Sequence, residues 1–468
     1  MEFVMSDTIA AVSTARGKGG IAVIRISGDD AFSVALSMLE SPHLSREGLK
    51  YRHSYYAKIL SADSAAIVDE GMAVFFRAPH SFTGENVVEI SCHGGVAVTE
   101  EVLSSALSHG ARSAKAGEFT RRAFLSGKLS LTEAEAVGEI IEADTRERVM
   151  LASGAMRGNV SSAVGEIADG LLGVMTALYA AIDYPEEDVG DEGEREIRGV
   201  LEASLARVEK LLSTYSTGRA VSDGVRVAIC GKPNVGKSSV FNLIVGEDSA
   251  IVTGIAGTTR DVLREKVSFG GVTLILSDTA GLHESGDEVE RLGIGRARDA
   301  VASAELVIGV YDVSREYDGE DEEVTAILEE EARVKPVVVL YNKKDAESGK
   351  FDEGKLVGLA ERGVKMISFS AKDGRGREEL AEEIGRLFRD GRIDLSRDAV
   401  IWNSRQREIL TRCREKLMLA LDGARRGDPL DCVCTLTEGA LAYLRETDGV
   451  SVREEIIDEI FKRFCVGK

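Results

Sequence analysis

Eight residues constrain this 468-residue chain more than any others. Gly231-Lys-Pro-Asn-Val-Gly236-Lys237-Ser238 fits the pattern G-x-x-x-x-G-K-[ST], between a strand-like run, Val227-Ala-Ile-Cys230, and a helix-like one, Ser239-Val-Phe-Asn-Leu-Ile244. In that setting the glycines let backbone N–H groups face phosphates, and the following helix N-terminus favours negative charge. Lys237 is placed to meet the β- and γ-phosphates and Ser238 to bind Mg2+. Strand-like runs alternate with helical ones from there to about Arg386: Val225 to Cys230, Val262 to Val267, Val272 to Ser277, Leu306 to Tyr311, Val337 to Tyr341 and Met366 to Phe369. Such alternation predicts a mostly parallel sheet wrapped by helices.

Three further motifs follow in order. Asp278-Thr279-Ala280-Gly281 ends a strand, so Asp278 can reach the outer sphere of Mg2+ while the Gly281 amide faces the γ-phosphate. Asn342-Lys343-Lys344-Asp345 ends another, and the Asp345 carboxylate can accept from N1–H and N2 of guanine, a pair adenine lacks. Ser370-Ala371-Lys372 supplies the last base contact. Upstream, Thr258-Thr259 sits where a switch threonine closes on Mg2+ and the γ-phosphate. These motifs predict a Ras-like GTPase domain. The residue after Gly281 is Leu282, where many GTPases keep a glutamine that orients the attacking water, so hydrolysis here needs another arrangement.

The flanking sequence is helical. Leu131, Ala134, Val137, Ile140 and Ile141 form one apolar stripe within Ser130 to Ala181, the acidic stretch Asp183 to Gly199 is expected as a loop, and a helix follows to about Tyr215. Helical patterning resumes after Ile401, which predicts one helical domain interrupted by the nucleotide-binding unit. The N-terminal segment mixes β-branched runs, Ile21 to Ile26 and Val87 to Ser91, with helical stretches and reads as α+β. The boundaries expected are 1–120, 121–220, 221–386 and 387–468.

The net charge is −21, but residues 1–125 carry twelve Lys and Arg against fourteen Asp and Glu, so acidity concentrates elsewhere. This excludes a chain that is basic all over, not a local basic site. No apolar run approaches 18 residues, and the best, Leu171 to Ile182, reads as a buried helix. The start, Met1 to Asp7, lacks a signal-peptide pattern, so a cytoplasmic protein with no membrane partner is expected. The six cysteines show no CxxC spacing, which speaks against a zinc site.

End to end, the chain resembles the MnmE (TrmE) family of tRNA modification GTPases. The resemblance rests on Asp7-Thr-Ile-Ala, Gly17-Lys-Gly-Gly20, Ile24-Arg25-Ile-Ser-Gly28, Phe82-Thr-Gly-Glu-Asn-Val-Val-Glu89, Cys92-His-Gly-Gly95, Gly117-Glu-Phe-Thr120, Gly127-Lys-Leu129, Thr253-Gly-Ile-Ala-Gly-Thr-Thr259 and Cys465-Val-Gly-Lys468. It implies a homodimer with an N-terminal tetrahydrofolate-binding-like domain that also dimerises, and a helical domain into which the GTPase domain is inserted. It also implies a FAD-dependent partner, MnmG (GidA), in a heterotetramer or larger complex. The implied reaction adds a carboxymethylaminomethyl or aminomethyl group to C5 of the wobble uridine of certain tRNAs, with 5-formyl- or methylene-tetrahydrofolate as cofactor.

The resemblance also implies residue roles. Arg25, Glu89, Lys128 and Lys468 match the folate contacts. Asn234, Thr253, Ile255 and Thr258 match the ligands of a K+ ion, and Ser238 and Thr259 hold Mg2+. Glu290 matches the residue that orients the attacking water, with Lys237 and Thr259 beside it. The GTP-binding set is Asn234, Val235, Gly236, Lys237, Ser238, Ser239, Thr253, Gly254, Ile255, Ala256, Gly257, Thr258, Thr259, Asp278, Thr279, Ala280, Gly281, Asn342, Lys343, Asp345, Ser370, Ala371 and Lys372. Cys465 is a candidate functional thiol, with a packing or tail-positioning role as the other reading. A different class remains open on the motifs alone: a GTP-dependent RNA-binding or ribosome-assembly switch of the Era/Der type. Such proteins usually carry a basic RNA-binding domain, and none is visible in this sequence.

Overall fold

The computed structural model describes residues 7–15, 17–45, 47–63, 66–183, 190–246, 264–277, 300–346, 350–450, 452–462 and 464–467. The chain divides into two compact units, Met1–Gly138 with Arg445–Lys468, and Glu139–Leu444.

In the first unit the strands β1 (Ile9–Val12), β2 (Ile21–Ser27), β3 (Leu39–Glu40), β4 (Ser54–Leu60), β5 (Ile67–Phe76), β6 (Val87–His93) and β7 (Arg112–Ser113) form one sheet, ordered β3-β4-β5-β6-β2-β1-β7. Every pair is antiparallel except β1 with β7. Side chains of period two face opposite ways, so Ala22, Ile24 and Ile26 of β2 join Val88, Ile90 and Cys92 of β6 in a core under helices α1 (Ala31–Met38) and α2 (Val96–Ser108). The other face of β1 buries Ile9 and Ala11 against Ala114, Phe82 and Phe119, the last on α3 (Glu118–Leu125). Helix α4 (Leu131–Ile141) lays Leu131 and Ala134 against Ile457 and Phe461 of the helix Glu454–Lys462, so residues from both ends of the chain share this core.

A buried ion cluster ties the sheet to α3. Arg122, 5% exposed, donates to Asp7 Oδ1 at 2.6 Å, Glu85 Oε1 at 3.0 Å and Glu118 Oε1 at 3.2 Å. Arg112 donates to Asp7 Oδ2 and Glu118 Oε1, each at 2.5 Å. Burial alone would raise the Glu118 pKa, but the hydrogen bonds from Arg112, Arg122 and the Lys115 amide outweigh it and hold the carboxyl below its ordinary value. Asp7 is lowered in the same way, with burial again opposing.

In the second unit α5 (Arg146–Met156), α6 (Asn159–Asp183) and α7 (Gly190–Ser222) precede a six-stranded sheet. Its strands are β8 (Val225–Cys230), β9 (Arg264–Phe269), β10 (Val272–Ser277), β11 (Leu306–Asp312), β12 (Val337–Asn342) and β13 (Lys365–Ser368), ordered β13-β12-β11-β8-β10-β9 with only the β9/β10 pair antiparallel. Helices α8 (Lys237–Val245), α9 (Gly319–Glu331) and α10 (Arg377–Phe388) accompany the strands. Every residue of β11 and β12 is buried, the signature of strands covered on both faces. Two long helices follow, α11 (Ser404–Arg426) and α12 (Leu430–Thr447), with α11 packed along α7.

Two features differ from the reading of the sequence. Helix α7 is already formed at Gly190, inside the stretch expected as a loop, because Glu192 and Glu194 sit in its first turns, where acidic side chains complement the helix dipole. Leu171 to Ile182 is amphipathic rather than buried throughout: Leu171, Val174 and Leu178 are covered, while Leu172 and Tyr179 are more than 40% exposed. By length and composition one helical stretch, Arg146–Asp183, could cross a membrane. A turn at 157–158 splits it, however, and α6 packs on α7 as a bundle helix does. One interior glycine of α7, Gly218, has a packing reason, because a Cβ there would lie 2.1 Å from the Ile401 carbonyl oxygen.

Replacing Arg122 by Met takes away the arginine partner of the largely buried Glu85 and leaves Asp7 and Glu118 with Arg112 alone, and the expected cost to the first unit is about 3 kcal/mol at pH 7. Because Asp7 and Glu118 titrate below their ordinary values of 3.8 and 4.5, they stabilise the fold at neutral pH and lose that contribution as pH falls below those values. Urea unfolding of both proteins at pH 7 and pH 3 checks this, with the gap between them narrower at pH 3.

Candidate functional site

The loop between β8 and α8 is organised by what its carbonyls do. Lys237 Nζ donates to the carbonyls of Gly231 and Lys232, each at 2.8 Å. Lys343 Nζ donates to the Asn234 carbonyl at 2.8 Å, and Asn342 Nδ2 to the Val235 carbonyl at 2.8 Å. Four loop carbonyls are thereby satisfied from inside the protein, which turns the intervening N–H groups outward, as binding of phosphate requires. The backbone accommodates this through positive φ at Asn234 (64°) and at Gly236 (100°), the residue that caps α8. Burial lowers the Lys237 pKa.

The elements expected to contact the base converge from the ends of β12 and β13. Asn342 Oδ1 accepts from the Ala371 amide at 3.1 Å, Ser370 Oγ donates to Asp345 Oδ1 at 3.0 Å, and Lys372 Nζ stands 3.7 Å from Asp345 Oδ2. One Asp345 oxygen is thus fixed by a hydroxyl and the carboxylate is oriented by it. Lys343, itself at φ 64°, also donates to Asp312 Oδ2 at 2.7 Å, and Asp312 is 2% exposed at the end of β11. The Lys343 and Ser314 hydrogen bonds override burial and keep the Asp312 pKa low. Asp312 was not singled out in the sequence, since nothing but its place after a strand marks it.

The donor set suits hard cations. Ser238 offers a hydroxyl in the first turn of α8, and Asn234 an amide side chain on an exposed, left-handed residue. Among the described residues no group of three or more His, Cys, Asp and Glu could hold a metal ion. Thr253, Gly254, Ile255, Ala256, Gly257, Thr258, Thr259, Asp278, Thr279, Ala280, Gly281 and Glu290 lie outside the described residues, as does Lys468.

A second polar site lies in the N-terminal unit. Arg25 and Glu89 are register partners on β2 and β6, and Arg25 reaches Glu89 Oε1 with Nε at 2.9 Å and a terminal nitrogen at 2.8 Å. The Arg25 guanidinium also lies 5.2 Å from the Phe82 ring centroid and 5.6 Å from that of Phe119. The sequence treated Arg25 and Glu89 as separate contacts, and the sheet register makes them one unit. Lys128 Nζ donates to the Pro79 carbonyl at 3.0 Å.

The C-terminal tail meets the same unit. The Gly117 amide donates to the Cys465 carbonyl at 3.3 Å, Val466 bridges Ala116, and Ser13 Oγ donates to the Gly467 carbonyl at 3.0 Å. Gly467 has φ 98°, and a Cβ there would stand 2.2 Å from the Val12 carbonyl oxygen. The Cys465 residue is exposed.

Comparison with known proteins covers the whole chain. Residues 8–128 match the family described as GTP-binding protein TrmE N-terminus, and residues 131–465 match the MnmE helical domain family. The tRNA modification GTPase MnmE of Moorella thermoacetica is 39% identical over 99% of this chain and 100% of its own length. The protein of that name from Thermoanaerobacter pseudethanolicus is 38% identical over 99% of each.

The Asp345 geometry predicts that Asp345→Asn weakens GTP binding roughly 100-fold, because the carboxylate's two acceptors become an acceptor and a donor facing guanine N–H groups. The same variant should accept xanthosine triphosphate. Equilibrium binding of both nucleotides measures the exchange.

Proposed function

This chain belongs to the MnmE (TrmE) family of tRNA modification GTPases, and from that premise we propose that it is a K+-activated GTP hydrolase acting with the FAD-dependent protein MnmG (GidA) on the wobble uridine of certain tRNAs. GTP hydrolysis and a part in tRNA modification come with the family. The observation that carries the nucleotide assignment is the set of four inward-tied carbonyls in the loop 231–236, next to an Asp345 carboxylate fixed by Ser370. Ser238 and Thr259 hold Mg2+, with Asp278 beyond them.

Asn234, Thr253, Ile255 and Thr258 hold K+ in this reading, and Glu290 orients the attacking water in place of the glutamine that Leu282 replaces. Support comes from Asn234, whose backbone carbonyl is taken by Lys343 while its side-chain amide projects from an exposed left-handed position. A bound K+ supplies positive charge where negative charge develops between the β- and γ-phosphates. The Lys237 ammonium is held over the loop by the carbonyls of Gly231 and Lys232, which supports its place beside those phosphates.

The N-terminal domain, 1–120, is proposed to bind 5-formyl- or methylene-tetrahydrofolate and to dimerise. The pair Arg25–Glu89 supports this. Both Arg25 nitrogens use the same Glu89 oxygen, leaving Oε2 free among the described residues to accept from a pterin amine. Phe82 and Phe119 offer apolar ring faces beside it. Ala11, the register partner of Arg25 on β1, lies one residue from Val12, against which Gly467 packs. That contact of the tail with β1 supports a part for the tail, including Cys465 and Lys468, in folate binding. The helical parts, 121–220 and 387–468, with the inserted 221–386 GTPase domain, complete the assembly with MnmG and tRNA, and a cytoplasmic setting fits that work.

Steady-state GTP turnover tests the ion assignment: it should rise at least tenfold when K+ replaces Na+ at equal ionic strength, and equal rates would remove K+ from the site. Titration of the protein with 5-formyl-tetrahydrofolate tests the other half. Binding should weaken by an order of magnitude or more in Glu89→Gln and on deletion of 465–468, since each removes a charged hydrogen-bonding partner.

A further inference from the structure

The phosphate-binding loop carries a second lysine that none of the chemistry above uses. Lys232 points away from the phosphate side: its ammonium donates to Asp318 Oδ2 and to Asp321 Oδ2, each at 2.7 Å, and only 5% of its side chain is exposed. Asp321 is equally buried at 3%, while Asp318 is 55% exposed. Taking a lysine and an aspartate out of water costs several kcal/mol per ion, so such a bridge persists only when its geometry is tightly held.

The receiving carboxylates are held that way. Asp318 caps α9, its Oδ1 accepting from the amides of Glu320 at 3.0 Å and Asp321 at 3.2 Å, and Asp321 Oδ2 accepts from the Asp318 amide at 3.2 Å in return. One turn on, Thr325 Oγ1 gives its single proton to the Asp321 carbonyl at 2.8 Å. The phenols of Tyr311 and Tyr317, at 2.8 and 2.9 Å from the same oxygen, must therefore donate to it. The start of α9 is a rigid anchor, and Lys232 is moored to it.

At its other end Lys232 is part of the phosphate loop itself, since its carbonyl is one of the two that receive Lys237 Nζ. The second half of the loop is held from the base-recognition side by Asn342 and Lys343. Among the described residues no other side-chain hydrogen bond reaches residues 231 and 232 from outside the loop and α8. We propose that Lys232 is a positioning residue for nucleotide binding: its buried bridge to Asp318 and Asp321 fixes the first half of the phosphate loop, and with it the carbonyl pair that aims Lys237. The bridge makes the N-terminus of α9 part of the nucleotide site without touching nucleotide.

Lys232→Met, Lys232→Arg and Asp318→Asn in the full chain test this through binding of a fluorescent GDP analogue and steady-state GTP turnover. Lys232→Met should bind GDP about tenfold more weakly, the scale on which networked residues modulate a site. The loss should appear in KM more than in kcat, because a loop held out of place binds ground state and transition state alike less well. Lys232→Arg keeps the charge and should recover binding to within about threefold. Asp318→Asn keeps the helix cap and removes one charge, so it should show a smaller loss in the same direction, and it carries the test if Lys232→Met does not fold. GDP affinity unchanged in both Lys232→Met and Asp318→Asn, an Arg variant no better than the Met variant, or a fall in kcat with GDP affinity intact would each overturn the proposal.

Discussion

A loop that binds phosphate has to turn its carbonyls away from the ligand, and everything described in the GTPase unit follows from how this chain does it. Lys237, Asn342 and Lys343 take the carbonyls of residues 231, 232, 234 and 235, so recognition of base and of phosphate are mechanically one structure. Lys237 comes from the phosphate loop's own motif, and Asn342 and Lys343 from the Asn342–Asp345 motif more than a hundred residues on. A carbonyl left without its donor would face the phosphates, and repulsion between like partial charges would oppose binding.

The motif itself was legible because it is local: the glycines, the lysine and the flanking strand and helix lie within about twenty residues, and backbone sterics alone dictate them. The sheet of the GTPase unit was legible for the same reason, since runs such as Val337 to Tyr341 carry their burial in their composition. What the sequence concealed depends on distance along the chain. Lys232 finds Asp318 and Asp321 across 86 and 89 residues, and Arg122 finds Asp7 across 115, so in sequence each reads as an ordinary solvated charge. A retrospective signal exists for Asp318, because Asp318-Gly-Glu-Asp321 spaces two carboxylates as a helix cap does, but nothing local says that a lysine sits on top of it. The stretch from Gly190 reads as a loop on its acidity alone, whereas acidic residues equally well open a helix, as they do here.

The N-terminal unit shows the same contrast. The β-branched runs Ile21 to Ile26 and Val87 to Ser91 mark two strands, but the pairing of Arg25 with Glu89 required the register of strands 64 residues apart. Once that register exists, the two charges neutralise one another on a face that also holds Phe82 and Phe119, so the site is preorganised by the sheet rather than by mobile surface side chains.

The shared core of the first unit also sets a timetable. Leu131 and Ala134 pack on Ile457 and Phe461, and residues 445–467 belong with 7–138, so about 300 residues of the other unit are translated in between. At ribosomal speeds that is a wait of roughly 15–60 s. During it, the apolar faces of α3 and α4 have no partner from the chain's own end, and the part made first is the part completed last. Within 139–444 the wait recurs on a smaller scale, because α7 packs on α11, which is made only after the sheet between them.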